Sequence, residues 1–133
     1  MIRQYVPQDA GALALIYYRG VHEGAAGAYS AAQRAAWAPE VPSAEAWHAR
    51  LSALTTFVAD DAGPVGFMSM DGDYLDFSYV LPERRGDGTA AALYDACLAW
   101  AQDQGFARLT FASAMPIDNS IKVNRFRGIH AIR

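Results

Sequence analysis

From residue 10 onward the apolar positions Leu13, Ile16, Tyr17 and Val21 recur at spacings of three and four, the period of an amphipathic helix with one buried face. This predicts a helix over 10–23, with Asp9 as its N-cap and a short strand over 1–6 before it, ended by Pro7. Beyond the Gly24–Gly27 punctuation, Ser30 heads a short helix through Trp37, stopped by Pro39, and Ser43 heads another through Leu51. At Thr55 the pattern changes to β-branched and aromatic runs over 55–59, 65–70 and 74–80, which predict three consecutive strands. Their connectors, Asp60–Pro64 and Asp71–Asp73, are short and rich in turn formers, so the strands form an antiparallel meander with no length for crossover helices. A polar loop over 82–88 then leads into an Ala-rich helix over 89–104, ended by Gly105, and a strand over 107–112. Leu93, Cys97 and Trp100 share one stripe of that helix and are expected to pack on the sheet. Strand, helix and returning strand make a right-handed parallel unit. The expected fold class is therefore α/β (α+β), a mixed sheet with a meander, a crossover helix and a parallel returning strand.

The length of 133 residues fits one domain, and a hydrophobic share of 53% against 19% charged residues is that of a folding globular chain. A net charge of -3 argues against a phosphate-backbone surface, so no nucleic-acid partner is expected. Cys97 is the only cysteine, which excludes an internal disulfide and suits a reducing cytoplasm. Neither a signal-peptide core nor an apolar run near ~18 residues is present, so no membrane partner is expected. His22, His48 and His130 lack metal-ligand spacing, and no metal is expected. The charge is unevenly spread. All fourteen acidic residues lie in 1–118, while 119–133 hold four basic residues and no acid. Residues 1–113 are read as the domain core and 114–133 as an atypical basic tail without a readable period.

The segment that carries chemistry runs from Val80 to Leu93, where glycines join a strand to a helix. A helix N-terminus offers unpaired amides and the positive end of the macrodipole, and small residues let a phosphate approach them. Arg85 at the entry adds a charge-assisted donor. The implied ligand carries phosphate. A nucleotide-hydrolase loop would need Lys followed by Ser or Thr after the second glycine, and neither stands here. The dinucleotide fingerprint is matched by Gly86-x-Gly88-x-x-Ala91, but the following strand ends near Ser113 without the acid that motif requires.

Arg85-x-x-Gly88-x-Ala90, placed directly after Val80-Leu81-Pro82, resembles the acetyl-CoA loop of the GNAT superfamily of N-acetyltransferases. The order of elements over residues 1 to about 113 is similar to that family's core. Val21-His22-Glu23, Tyr29-Ser30, Ala36-Trp37-Ala38-Pro39, Ala92-Leu93-Tyr94-Asp95-Ala96 and Arg108-Leu109-Thr110 resemble its small bacterial YafP-like subgroup. The resemblance implies transfer of an acetyl group from acetyl-CoA to a primary amine of a small molecule or protein, by direct attack. It implies that backbone groups at Phe77, Tyr79 and Val80 pair with the pantetheine arm, and that Arg85, Gly86, Asp87, Gly88, Thr89 and Ala90 hold the pyrophosphate.

For the base, the resemblance points to Asp76, four residues before Val80; the alternative is an exposed strand-edge carboxylate. His22 and Glu23, at a helix end, are candidate acceptor contacts or simply solvated. Tyr29 and Trp37 are candidate walls of an acceptor pocket, with core packing as the alternative for the tryptophan. The family's next helix, which often carries a Tyr that protonates the leaving thiolate, has no counterpart here, and no Tyr follows Tyr94. A truncated or frame-shifted end beginning near Ser113 or Ala114 would account for this and for the charge reversal. The competing readings are a non-catalytic acyl-CoA-binding protein, whose sheet edge is completed by a second chain as in a homodimer, and a nicotinamide-nucleotide binder.

Overall fold

The computed structural model describes residues 1–24, 30–111 and 129–131. Tyr29 and all of the 114–133 tail except 129–131 lie outside the described residues. The elements are β1 (Ile2–Gln4), α1 (Ala10–Arg19), α2 (Ala31–Trp37), α3 (Ala44–Leu51), β2 (Thr55–Asp60), β3 (Pro64–Asp71), β4 (Tyr74–Val80), α4 (Thr89–Asp103), β5 (Arg108–Phe111) and β6 (Ile129–Ala131). They form a mixed sheet in the order β1-β2-β3-β4-β5-β6. Every neighbouring pair is antiparallel except β4 and β5, which run parallel on either side of the α4 crossover. The meander and the parallel return are as the residue pattern predicts. In addition, β6 pairs with β5 from Arg108↔Ala131 to Thr110↔Ile129, a strand for which the sequence shows no period.

Two apolar layers enclose the sheet. On one face α1 and α3 cover Val58, Phe67, Phe77 and Tyr79, with Leu13, Ile16, Tyr17, Trp47 and Leu51 as the helical contribution. On the other face α4 lays Leu93, Tyr94, Cys97 and Ala101 over Met68, Met70, Leu75 and Leu109, with Trp100 packed at the margin. Burial of this kind contributes about 1.5–3 kcal/mol for each large side chain. Thr56 and Ser69, paired across β2 and β3 and both buried, satisfy one another through a 2.8 Å hydroxyl contact.

Helix starts follow local chemistry. Ser30 accepts the Gln33 amide at 3.1 Å while its own amide donates to Gln33 Oε1 at 2.9 Å, a reciprocal cap. Ser43 accepts the Ala46 amide at 3.1 Å. The C-terminus of α4 closes by a Schellman pair, Phe106 N–H to the Ala101 carbonyl and Gly105 N–H to that of Gln102, both at 3.0 Å.

Two local expectations change. Asp9 stands at the N-cap position of α1 but makes no side-chain cap: it ends a 3₁₀ turn, Pro7–Asp9, that runs straight into the helix, and its backbone is helical. Its carboxylate instead accepts the Val6 amide at 3.0 Å and both terminal nitrogens of Arg3 at 2.8 Å. The regular helix also ends at Arg19, and Gly20–Gly24 continue as a π-helical turn. Glycine has the weakest hold on a regular helix among non-prolines, and the widened turn carries His22 to the Ala38 carbonyl.

Candidate functional site

Strand β4 delivers the site. Its pairing with β3 steps from Ser69↔Phe77 to Met70↔Leu75, so Asp76 is the extra residue of a β-bulge. The bulge breaks the two-residue alternation: Leu75 belongs to the α4-side core and Phe77 to the opposite one. Asp76 itself is half-buried. Its carboxyl lies above the usual range because burial disfavours the charge; nearby Arg50 opposes this and Asp71 adds to it. Phe77 and Tyr79 bury their rings, so what they offer a ligand is backbone.

Beyond Val80 the chain makes a 3₁₀ turn, Pro82–Arg84, held by Leu81 N–H to Val65 O at 2.9 Å and Arg84 N–H to Leu81 O at 2.8 Å. Gly86 and Gly88 then take φ of 76° and 91°, left-handed values that side chains strain to adopt, and α4 begins. The first-turn amides of Thr89, Ala90 and Ala91 have no partner within the helix, as at any helix start. Asp87 Oδ1 takes the Thr89 amide at 2.9 Å and its hydroxyl at 2.6 Å. These bonds hold the Asp87 carboxyl below its usual range. Arg85, Gly86, Asp87 and Gly88 are exposed, Thr89 is half-buried and Ala90 is buried under the sheet.

The loop is tethered at both ends of its turn by residues that local patterns do not single out. Glu83 receives Arg19 in a two-point ion pair at 2.8 and 3.1 Å. Arg84 pairs with Asp61 in the β2–β3 turn and, at 3.5 Å, with Asp87. Arg19 also holds Glu23 at 2.8 and 3.2 Å, so the Glu23 carboxylate is already engaged. That pair has the i, i+4 spacing of neighbours on a helix surface, whereas the link to Glu83 spans 64 positions.

His22 donates from Nε2 to the Ala38 carbonyl at 2.5 Å, and its ring lies tilted against Tyr18 with 4.4 Å between ring centres. Arg34 bonds the His22 carbonyl. Trp37 remains 40% exposed, and its carbonyl receives the Tyr17 hydroxyl at 3.5 Å. His22, Glu23 and Trp37 thus surround the end of α1, which the Arg19–Glu83 pair fastens to the glycine loop. Among the described residues no group of three or more His, Cys, Asp or Glu could hold a metal ion, and no helix is long and apolar enough to cross a membrane.

The model of the acetyltransferase (GNAT) family matches residues 21–128, most of the chain and all of this site. The chain belongs to the GNAT family. It is 39% identical over 93 residues to the uncharacterized N-acetyltransferase YafP of Escherichia coli K12, an alignment that takes in 69% of this chain and 61% of that protein. The chain therefore spans less than two thirds of this curated relative. A crystal structure of a GCN5-related N-acetyltransferase from Rhodopseudomonas palustris superposes with a TM-score of 0.78 at 34% identity, covering 84% of this chain and 71% of that one. The Salmonella typhimurium protein YncA, a putative acetyltransferase solved with its cofactor acetyl-CoA, shares the fold with a TM-score of 0.62 at 19% identity, over 84% of this chain and 68% of that one.

Proposed function

We propose that this GNAT domain transfers an acetyl group from acetyl-CoA to a primary amine, by direct attack of the amine on the thioester, in a bacterial cytoplasm. The observation that carries this reading is the loop between β4 and α4: Arg85-x-x-Gly88-x-Ala90 with two left-handed glycines, opening onto helix amides that suit a pyrophosphate. Acetyl-CoA supplies the activated acyl group, and its thiolate is a tolerable leaving group since a thiol pKa is about 8.5. On this reading Arg85 and the amides of Gly86, Gly88, Thr89 and Ala90 bind the phosphates. The β4 backbone at Phe77, Tyr79 and Val80 pairs with the pantetheine arm as an added strand would. Asp76 takes the ammonium proton, directly or through water, and β4 amides near the bulge donate to the carbonyl oxygen as charge develops there. Trp37 and His22 border the acceptor. Residues 1–113 constitute the core, and the basic tail joins it through β6.

A thermal-shift titration with acetyl-CoA, CoA and NADH tests this. A ligand that binds only the native state stabilises it by about 2.7 kcal/mol at 100 times its Kd, several degrees for a domain of this size. The expected result is a shift with both CoA species, none with NADH, and its loss in Arg85→Ala. A cooperative melt unmoved by acetyl-CoA and CoA overturns the reading.

A further inference from the structure

We infer that the acceptor is a small amine that also carries a carboxylate or comparable oxyanion, bound by the Arg50 guanidinium while its amine faces Asp76; this rests on the acetyltransferase reading above. Arg50 stands on the last turn of α3 and is exposed. Its guanidinium carbon lies 4.8 Å from the centre of the Phe77 ring and 5.1 Å from that of Trp47. Both rings are buried, so the cation is seated on a fixed aromatic floor rather than free to sweep the surface. Among the described residues Arg50 makes no ion pair, whereas Arg3, Arg19 and Arg84 each bind two carboxylates.

Phe77, one half of that floor, is the neighbour of Asp76 across the bulge. Arg50 and Asp76 are therefore close without touching: the charge of Arg50 is felt at Asp76, yet no nitrogen–oxygen approach reaches 4.0 Å. Tyr17, which feels Arg50 too, packs its ring against Trp47 and Phe77 and donates its hydroxyl to the Trp37 carbonyl, so one residue links this floor to Trp37. A guanidinium seated on aromatic rings with a carboxyl group held apart from it complements a zwitterion. A guanidinium presents paired donors that match a carboxylate's two oxygens. An amine without an anionic group meets the same guanidinium as a like charge. In the transfer the ammonium first loses one proton through Asp76 to solvent; the amine nitrogen then forms the bond to the acetyl carbon, the carbon–sulfur bond breaks with its electron pair going to sulfur, and the second nitrogen proton passes to that thiolate, which departs as the thiol. The acceptor's carboxylate is unchanged and serves recognition alone.

The test is a ladder of amino carboxylates from two to six carbons, each with its carboxamide, compared by thiol release with acetyl-CoA and by binding calorimetry on the full chain. At least one acid should exceed its amide at least tenfold in kcat/KM after correction for amine ionisation. Arg50→Gln should bring the ratio near one, Arg50→Lys should keep part of it, and the thermal shift with CoA should persist in both. Amides used as well as acids, or a preference that survives Arg50→Gln, overturns the inference and leaves the acetyltransferase reading standing. Should CoA give no thermal shift, that reading falls by itself. Calorimetry of the acids with the chain alone then still decides the carboxylate site: Arg50-dependent binding upholds that site and its absence overturns it.

Discussion

The Asp87 carboxylate sits on the amide and hydroxyl of Thr89, at 2.9 and 2.6 Å, where α4 begins. An internal anion therefore occupies one of the amides that the proposed pyrophosphate would use. It stabilises the helix start but adds negative charge beside a negative ligand. Asp87→Ala is expected to lower the ligand-free melting midpoint and to enlarge the shift produced by CoA. Asp87→Asn, which keeps an acceptor without the charge, should retain more of the midpoint while also binding CoA more tightly. Weaker CoA binding in both variants would show instead that Asp87 orders the loop for its ligand.

Gly20 is the point where the end of α1 meets β4. A Cβ there would lie 2.6 Å from Cδ1 of the buried Tyr79 ring. Two effects oppose one another in Gly20→Ala. Alanine gains up to about 1 kcal/mol in helix propensity, and overpacking costs about 1–3 kcal/mol. The backbone there is already helical and the obstacle is a packed ring, so overpacking wins and the midpoint should fall. Chemical denaturation of Gly20→Ala, Tyr79→Leu and the double variant checks this. The double variant should be more stable than the sum of the singles predicts.

What the residue pattern reveals here is what is local. The Ser30 and Ser43 caps, the short turns of the meander and the Val80–Ala90 loop each depend on residues within a few positions of one another, and all stand where the spacing places them. The bulge at Asp76 depends on register against Ser69 and Met70, and nothing in β4 alone announces it. Arg19 reaches Glu83 across 64 positions, and Arg50 lies on Phe77 from another helix; both need the fold before they can be seen. Asp9 stands at the N-cap position that its residue type suits, but Arg3 and the Val6 amide take its carboxylate, so no side-chain cap forms. β6 is not legible in the sequence because a three-residue strand has too few positions to show a period.

That Arg3–Asp9 pair predicts an acid limb in stability. The Asp9 side chain is 7% exposed and its carboxyl is held below the ordinary value of 3.8, chiefly by the Arg3 hydrogen bonds. A lowered carboxyl contributes stability in full above its unfolded value and loses it as pH falls through the folded one. Asp9→Asn should melt well below the parent at pH 7, because it removes the charge that both terminal nitrogens of Arg3 hold. The two curves should converge as the pH falls through the lowered folded value of Asp9. Melting curves from pH 7 to 2 decide; a constant gap would assign the loss to packing rather than to charge.

Asp76 carries the opposite sign. Burial raises its carboxyl, Arg50 lowers it and Asp71 raises it further. As a base it works ionised, so kcat/KM should fall as pH drops through that raised value. Arg50→Gln removes the lowering charge and should move the acid limb to higher pH, while Asp71→Asn should move it lower. Asp76→Asn should abolish the limb and reduce kcat by about 100-fold or more, the range for loss of a general base. A raised carboxyl also costs stability wherever it is ionised in the folded state, so Asp76→Asn should melt higher than the parent at neutral pH. Loss of rate joined to gain of stability separates a catalytic carboxylate from a structural one. A variant that loses both would mark Asp76 as a residue the bulge needs in order to form.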